Sequence, residues 1–427
     1  ICRRQSTKAH YRTRGESALD SHMPILSNAK GGSYGRDTAD QSRPLHHCLP
    51  GVQRSPGTDF AGPVHRFCRL GSGTCPSNGN QTAGSGLISD WAPPSAGKEF
   101  AVIVMGINAW HGDAAAVLLV DGRVVAAVEE ERLRRVKHWA GFPSLAIANC
   151  LRIAGIDAAD VDHWAINSDG AVHRLRKAAY IARGLARPGL IWSRLANRRG
   201  RKGIRGHLSD SFGLDPDRVR IHPVEHHLCH LGSAYYPSGF GDAWVVSVDG
   251  LGDFASAAWS QVDDSCGEGI QIQGRVYFPH SLGVFYQAMT QYLGFPAYGD
   301  EYKVMGLASY GLPEMESQLM KIVQLLPEGG YRLNVDYFRH HREAISDRFE
   351  GGIPAFRPLY SATLERLLGP SRAPGEELTQ RHRNIAASVQ KVYQNALFHL
   401  LNRLHASDPV NRLALAGGCA MNSVANG

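Results

Sequence analysis

Two distant stretches of the chain follow one plan. IVMGINAWHGDAAAVLLV, residues 103–120, and AWVVSVDGLGDFASAAWSQ, residues 243–261, each set two apolar runs around a short turn that carries an acid and a glycine. A short apolar run bounded by such a turn reads as a buried strand, so each stretch predicts strand, turn, strand. A duplicated unit is a strong constraint, because it asks for two related lobes, each with its own sheet. A chain of 427 residues is long enough for two such cores. Glycines in the turns let backbone N–H groups approach an anion, and the acids can serve a cation.

The sequence around the first unit extends this plan. Asp121-Gly122, between two apolar runs, is a hairpin signal. It predicts three strands in a row, over roughly 101–108, 114–120 and 123–129. PSLAIANCLRIAGI then has helical spacing with a stop at Gly155, and DVDHWAIN returns as a strand. Three antiparallel strands, a helix and a strand open an RNase H-like lobe, as in actin-like ATPases and sugar kinases. The expected fold class is therefore α/β, actin-like and two-lobed, with lobe I over 99–240 and lobe II over 241–427. NRLALAGGCAMNSVANG adds a strand at 412–416 that runs into Gly417-Gly418 and a helix start, where N–H groups can face a nucleotide. The preceding helix, NIAASVQKVYQNALFHLLNRLH, has the spacing of ordinary core packing.

Charge matters only once it is located. Residues 1–98 hold 12 Lys+Arg against 6 Asp+Glu, which is +6 of the chain's +7. The body is nearly neutral, so no nucleic-acid partner is expected. The same 98 residues are rich in Ser, Gly, Pro, Arg and His, show no hydrophobic period and begin with Ile1. They read as a disordered or non-native extension. Cys2, Cys48, Cys68 and Cys75 lie there without the paired spacing of a zinc site. No apolar run reaches the ~18 residues of a membrane helix and no secretion signal is visible, so a cytoplasmic location and no membrane partner are expected. One internal stretch stands apart: 171–209 carries 11 Lys+Arg and no acid. It reads as a basic amphipathic helical insertion that could meet a membrane surface, nucleic acid or an anionic substrate, with a solvated helical excursion of lobe I near the substrate entrance the favoured reading.

VEHHLCH, 224–230, holds three histidines in five residues. If the stretch from Glu225 to Tyr236 is helical, His226 and His230 share a face one turn apart, which suits two imidazoles on one metal. His227 points elsewhere. The turn that follows offers Asp249 and Asp253. Two imidazoles and a carboxylate form a common ligand set for iron or zinc with an open position.

Six motifs in order now resemble a known family: GINAWHGDAAAVLLVDGRVVAAVEEERLRRVKHWAGFP, VEHHLCHLGSAYYPSGF, SVDGLGD, SLGVFYQAMTQYLGF, GDEYKVMGLASYG and LAGGCAMNSVANG. Together they look like the O-carbamoyltransferases of the nodulation and antibiotic-tailoring type. The resemblance spans about residues 101–427. It implies a domain with the fold of the threonylcarbamoyl-tRNA-modifying ATPases. It also implies a C-terminal YrdC-like domain that makes carbamoyl adenylate from carbamoyl phosphate and ATP. The carbamoyl group then passes to a hydroxyl of a small-molecule or oligosaccharide acceptor.

By that resemblance His226, His230 and Asp249 hold iron(II) or a similar divalent metal. His111 in WHGD serves the carbamoyl group or the proton of the attacking hydroxyl, and Asp113 orients it or binds substrate. Gly250, Gly252, Gly417 and Gly418 let backbone approach the nucleotide, with Asn422 near its ribose or base. Lys137 and Lys303 are candidate anion contacts, and a homodimer is compatible with the family. The motif series ends at Gly427, so lobe II is expected to be incomplete, the YrdC-like domain absent and the chain inactive alone. The rival expectations are an actin-like small-molecule kinase, which has no need of the His226/His230 pair, and a non-catalytic nucleotide-binding fragment.

Overall fold

A computed structural model describes residues 101–185, 203–267, 269–343, 345 and 348–427. All of these lie in one compact unit, Thr82–Gly427. The extension read over 1–98 and the centre of the basic stretch, 186–202, lie outside the described residues.

The first sheet grows from the predicted meander. Strands β1 (Ile103–Asn108), β2 (Ala115–Val120) and β3 (Arg123–Glu129) pair antiparallel in sequence. Alternation drives β1: Ile103, Met105 and Ile107 are buried on one face. The hairpin turn puts Asp121 and Gly122 at φ of 50° and 76°, the left-handed pair that a tight hairpin needs. The Asp121 carboxylate also accepts the Val102 N–H at 2.9 Å. Strands β4 (His163–Ile166) and β5 (Ile221–Pro223) add in parallel on the other side of β1, giving the order β3-β2-β1-β4-β5.

The helix Ser144–Ala154 covers this sheet with Ala146, Ile147, Cys150, Leu151 and Ala154, and ends at Gly155 with φ 66°. Its start is held by a fully buried acid that sequence reasoning did not single out. The Glu130 carboxylate accepts the N–H of Ala146 at 2.7 Å and of Leu145 at 3.2 Å, and pairs with Arg134 Nε at 2.7 Å. An anion at a helix N-terminus satisfies donors that have no partner within the helix.

The second sheet repeats the first. Strands β6 (Asp242–Gly252), β7 (Ala255–Asp263) and β8 (Gly274–Tyr277) form an antiparallel meander, and the strand Leu413–Ala416 pairs parallel to β6. Its order runs from that strand through β6 and β7 to β8, which reproduces the first four positions of the first sheet. This shared order makes the fold actin-like, two RNase H-like sheets from one duplicated plan.

Strand β6 is buried on both faces. Trp244, Val246 and Val248 pack with the helices Leu282–Tyr292 and Gln380–Ser407, while Ala243 and Val245 pack with Leu231 and Tyr235 of the helix His226–Tyr235. The last turn of β6 is therefore fixed from two sides, and there the candidate site begins. No described helix is long and apolar enough to cross a membrane.

Replacing Glu130 with Ala removes three bonds from a site closed to water. The expected loss is about 1–3 kcal/mol in urea unfolding. A stability change within ~0.3 kcal/mol of zero would show that the buried carboxylate is dispensable.

Candidate metal centre and active site

The helix His226–Tyr235 opens with Glu225, whose carboxylate accepts the Leu228 N–H at 2.9 Å as an N-cap. One turn of helix brings His226 and His230 to the same side. Strand β6 carries Asp249 to meet them. His226 Nε2 lies 2.9 Å and His230 Nε2 3.2 Å from Asp249 Oδ2, and the two Nε2 atoms are 3.1 Å apart. The other Asp249 oxygen accepts the Gly418 N–H at 3.1 Å, which fixes the carboxylate's direction.

These distances fit a metal. Bonds of about 2.1 Å at right angles put neighbouring ligand atoms about 3 Å apart. The donor set, two imidazoles and a carboxylate, suits a first-row divalent ion. Among the described residues two groups of His, Cys, Asp and Glu have ligand atoms close enough to hold an ion, this one and Asp113, Glu131 and His138. Asp253 belongs to neither. It accepts the His226 N–H at 2.9 Å, the Asp169 N–H at 2.8 Å and the Ser168 hydroxyl at 2.9 Å. It therefore anchors the start of the histidine helix to the segment after β4.

The electrostatics of the triad are strongly coupled. Burial favours neutral His226, but the Asp249 hydrogen bond and the charges of Asp249, Asp253 and Glu225 outweigh it and raise its pKa above 6.5. Burial likewise works to raise the Asp249 carboxyl, yet the hydrogen bonds of His226 and His230 hold it well below 3.8. His227 turns away to the Ser247 hydroxyl, 2.9 Å from its Nδ1, and burial lowers its pKa to about 4.

His111 stands beside the triad. Its ring centroid is 5.6 Å from that of His226, and its Nδ1 is 3.3 Å from the Gly112 carbonyl. Desolvation, helped by the neighbouring His226 and His230, lowers its pKa despite Asp249. Asp113 does not orient His111, because its Oδ1 pairs with His138 Nδ1 at 2.8 Å. The His138 N–H in turn donates to Glu131 at 2.8 Å. Trp110, Asp113 and His138 all have left-handed φ, at 58°, 62° and 56°, so these two neighbouring loops hold backbone conformations that ordinary residues avoid.

The glycines separate by what surrounds them. A β-carbon on Gly252 would lie 2.0 Å from His226 Cδ2, so that glycine makes room for the His226 imidazole. Gly417, at φ 90°, would place one 2.4 Å from the Val248 carbonyl oxygen and 3.2 Å from Asp249 Cβ. A β-carbon on Gly250 would meet nothing within 4 Å, although Gly283 packs closely against its Cα from another side, and Gly418 uses its N–H on Asp249.

Asn422 is spent on structure. Its side chain exchanges two hydrogen bonds with Gln390 at 2.9 and 3.0 Å and accepts the Ala425 N–H at 3.0 Å. Lys303 pairs with Asp300 at 2.5 Å, while Lys137 is exposed on a turn.

Sequence reasoning missed His138 and Tyr298. The Tyr298 ring meets His138 edge-on at 5.3 Å, and a β-carbon on Gly112 would lie 2.3 Å from the Tyr298 hydroxyl. Burial, with Asp113, Asp249 and Glu301 near, pushes its phenol pKa up. The clue was available in the glycines of WHGD and AYGD, but a glycine does not announce which ring fills its space.

Residues 103–427 match the family model described as the carbamoyltransferase N-terminus. The chain belongs to the carbamoyltransferase family. It is 36% identical over 337 residues to a protein of Synechocystis sp., covering 76% of this chain and 52% of that one. It is 35% identical over 323 residues to the nodulation protein NolNO of Sinorhizobium fredii, covering 75% of this chain and 42% of that one. The chain thus spans about half the length of these relatives. Among solved structures it is similar to component A of the (R)-2-hydroxyglutaryl-CoA dehydratase of Acidaminococcus fermentans, with TM-score 0.38 and 12% identity over 76% of this chain and 86% of that one. The fold assignment rests on the strand order and not on that likeness.

Two outcomes test the site. A metal needs neutral imidazoles, so protons compete with it. Because the His226 pKa is raised, zinc or iron(II) uptake at sub-saturating metal should weaken as pH falls, beginning above pH 6.5. Uptake that is flat from pH 8 to about 5.5 would contradict the raised value. Gly252→Ala should displace the His226 ring and weaken metal binding at least ~10-fold, with titration calorimetry as the measurement. Unchanged affinity would show that the glycine contact is incidental.

Proposed function

We propose that this chain carries the transfer step of an O-carbamoyltransferase. A hydroxyl of a small-molecule or oligosaccharide acceptor takes the carbamoyl group of carbamoyl adenylate, itself made from carbamoyl phosphate and ATP. The observation that carries the proposal is the placing of His111 against a triad fit for a metal, in a chain of the carbamoyltransferase family.

His226, His230 and Asp249 would hold iron(II) or a similar divalent ion, which when bound supplies positive charge for the adenylate phosphate. The chain's own groups account for the rest. His111, with its pKa lowered, is neutral near pH 7. With Nδ1–H donating to the Gly112 carbonyl, Nε2 keeps its lone pair for the acceptor's proton. The acceptor oxygen then bonds to the carbamoyl carbon, the carbon–oxygen bond to the phosphate breaks, and AMP leaves with the electron pair. Gly250, open on the side where a β-carbon would point, suits close approach of the nucleotide to the end of β6. Lys137 is a free cation for an anionic part of the donor, whereas Lys303 already serves Asp300.

The test supplies carbamoyl adenylate and a panel of polyhydroxylated acceptors, and follows AMP release together with carbamate ester formation. His111→Ala should lower transfer by about 10²–10⁴-fold while metal content stays unchanged. Transfer at the unsubstituted rate would remove His111 from the chemistry.

A further inference from the structure

The described part of the basic stretch is built inside out. The helix Arg174–Ala182 turns its polar and aromatic side toward the protein. Tyr180 meets Phe254 at 5.8 Å and Phe278 at 5.2 Å, both edge-on. The Arg176 guanidinium lies 4.0 Å over Tyr277, and His173 meets the same ring edge-on at 5.2 Å. Residues 173, 176, 177 and 180 form one helical face. The opposite face carries Leu175, Ala178, Ala179 and Ala182, and Leu185 follows the helix just past the left-handed Gly184. Leu175 is 87% exposed, Leu185 48% and Ile181 47%. An amphipathic helix on a globular surface ordinarily buries its leucines. Here Leu175 points to solvent, flanked by exposed Arg174 and Arg183.

We infer that this face docks on the headgroup region of an anionic lipid bilayer. An apolar stripe between cations is the pattern that lies in such an interface, with the stripe among acyl chains and the cations on lipid phosphates. Residues 171–185 carry four Lys+Arg and no acid, and exposed Arg174 and Arg183 border the apolar stripe, which gives the complementary charge. A second copy of the chain is disfavoured, because a two-fold contact would set this cationic stretch against itself. Nucleic acid would match the charge and leave the exposed leucines without a partner. Surface docking needs no membrane-crossing segment, so the expectation of no membrane partner gives way to a peripheral one. The inference is independent of the transfer chemistry.

The test mixes the full chain with vesicles of phosphatidylcholine, alone or equimolar with phosphatidylglycerol, and measures co-sedimentation. At ~0.1 M salt the anionic vesicles should bind at least ~10-fold more protein, and high salt should reverse much of it. Leu175→Glu with Leu185→Glu should lower that binding at least ~10-fold. Both positions are exposed, and an unchanged thermal melt would confirm that the variant folds. Equal binding to neutral vesicles, no binding to either, or unchanged binding by the folded double variant would overturn the inference. So would a concentration-dependent dimer that the same variant dissolves, since a second copy would then cover the face.

Discussion

Three lone-pair atoms packed about 3 Å apart repel one another unless positive charge lies among them. His226 Nε2, His230 Nε2 and Asp249 Oδ2 are such a set, and much of the fold serves to hold them. Strand β6 is clamped by packed helices on both faces, so its last turn delivers Asp249 at a fixed point. The Gly418 N–H takes one carboxylate oxygen and leaves the other for the histidines. Asp253 ties the first backbone N–H of the histidine helix to Ser168 and Asp169, just after β4 of the first sheet. Protons can supply such charge: against their burial, Asp249 raises the His226 pKa and the two histidines hold the Asp249 carboxyl well below 3.8.

The duplicated sheet explains why the two halves of the site meet. Each meander ends its first strand in a glycine-bearing acidic turn, WHGD after β1 and DGLGD at the end of β6. The actin-like arrangement brings the turns together, so that His111 from one stands 5.6 Å from His226 beside the other. The close packing is made by absent β-carbons. Gly112 yields to Tyr298 and Gly252 to His226. Glycine here is a volume requirement first and a conformational one second.

The periodic parts of this account were legible in the sequence. The strands around Asp121-Gly122, the Gly155 helix stop and the i, i+4 histidine pair follow from local rules that tertiary structure leaves intact. The parts that were not legible depend on pairs distant in the chain. Asp113 bonds His138, 25 residues on, and not His111, two residues before it. Asn422 is consumed by Gln390 of the long helix, and Lys303 by Asp300, so neither is free for a nucleotide in the arrangement seen. Glu130 is an acid on a strand-to-helix junction whose complete burial no periodicity foretells. The outward face of Arg174–Ala182, with Leu175 on it, obeys helical spacing, but spacing alone does not say which face looks outward.

The central claim is that His226, His230 and Asp249 bind one divalent ion together. X-ray absorption at the iron edge, on protein loaded with one equivalent of iron(II), tests it most directly. The account predicts scattering from two imidazoles and oxygen donors at about 2.1 Å, with the imidazole signal lost in the His226→Ala/His230→Ala double variant. A spectrum without imidazole scattering, or one that the double variant reproduces, would contradict it.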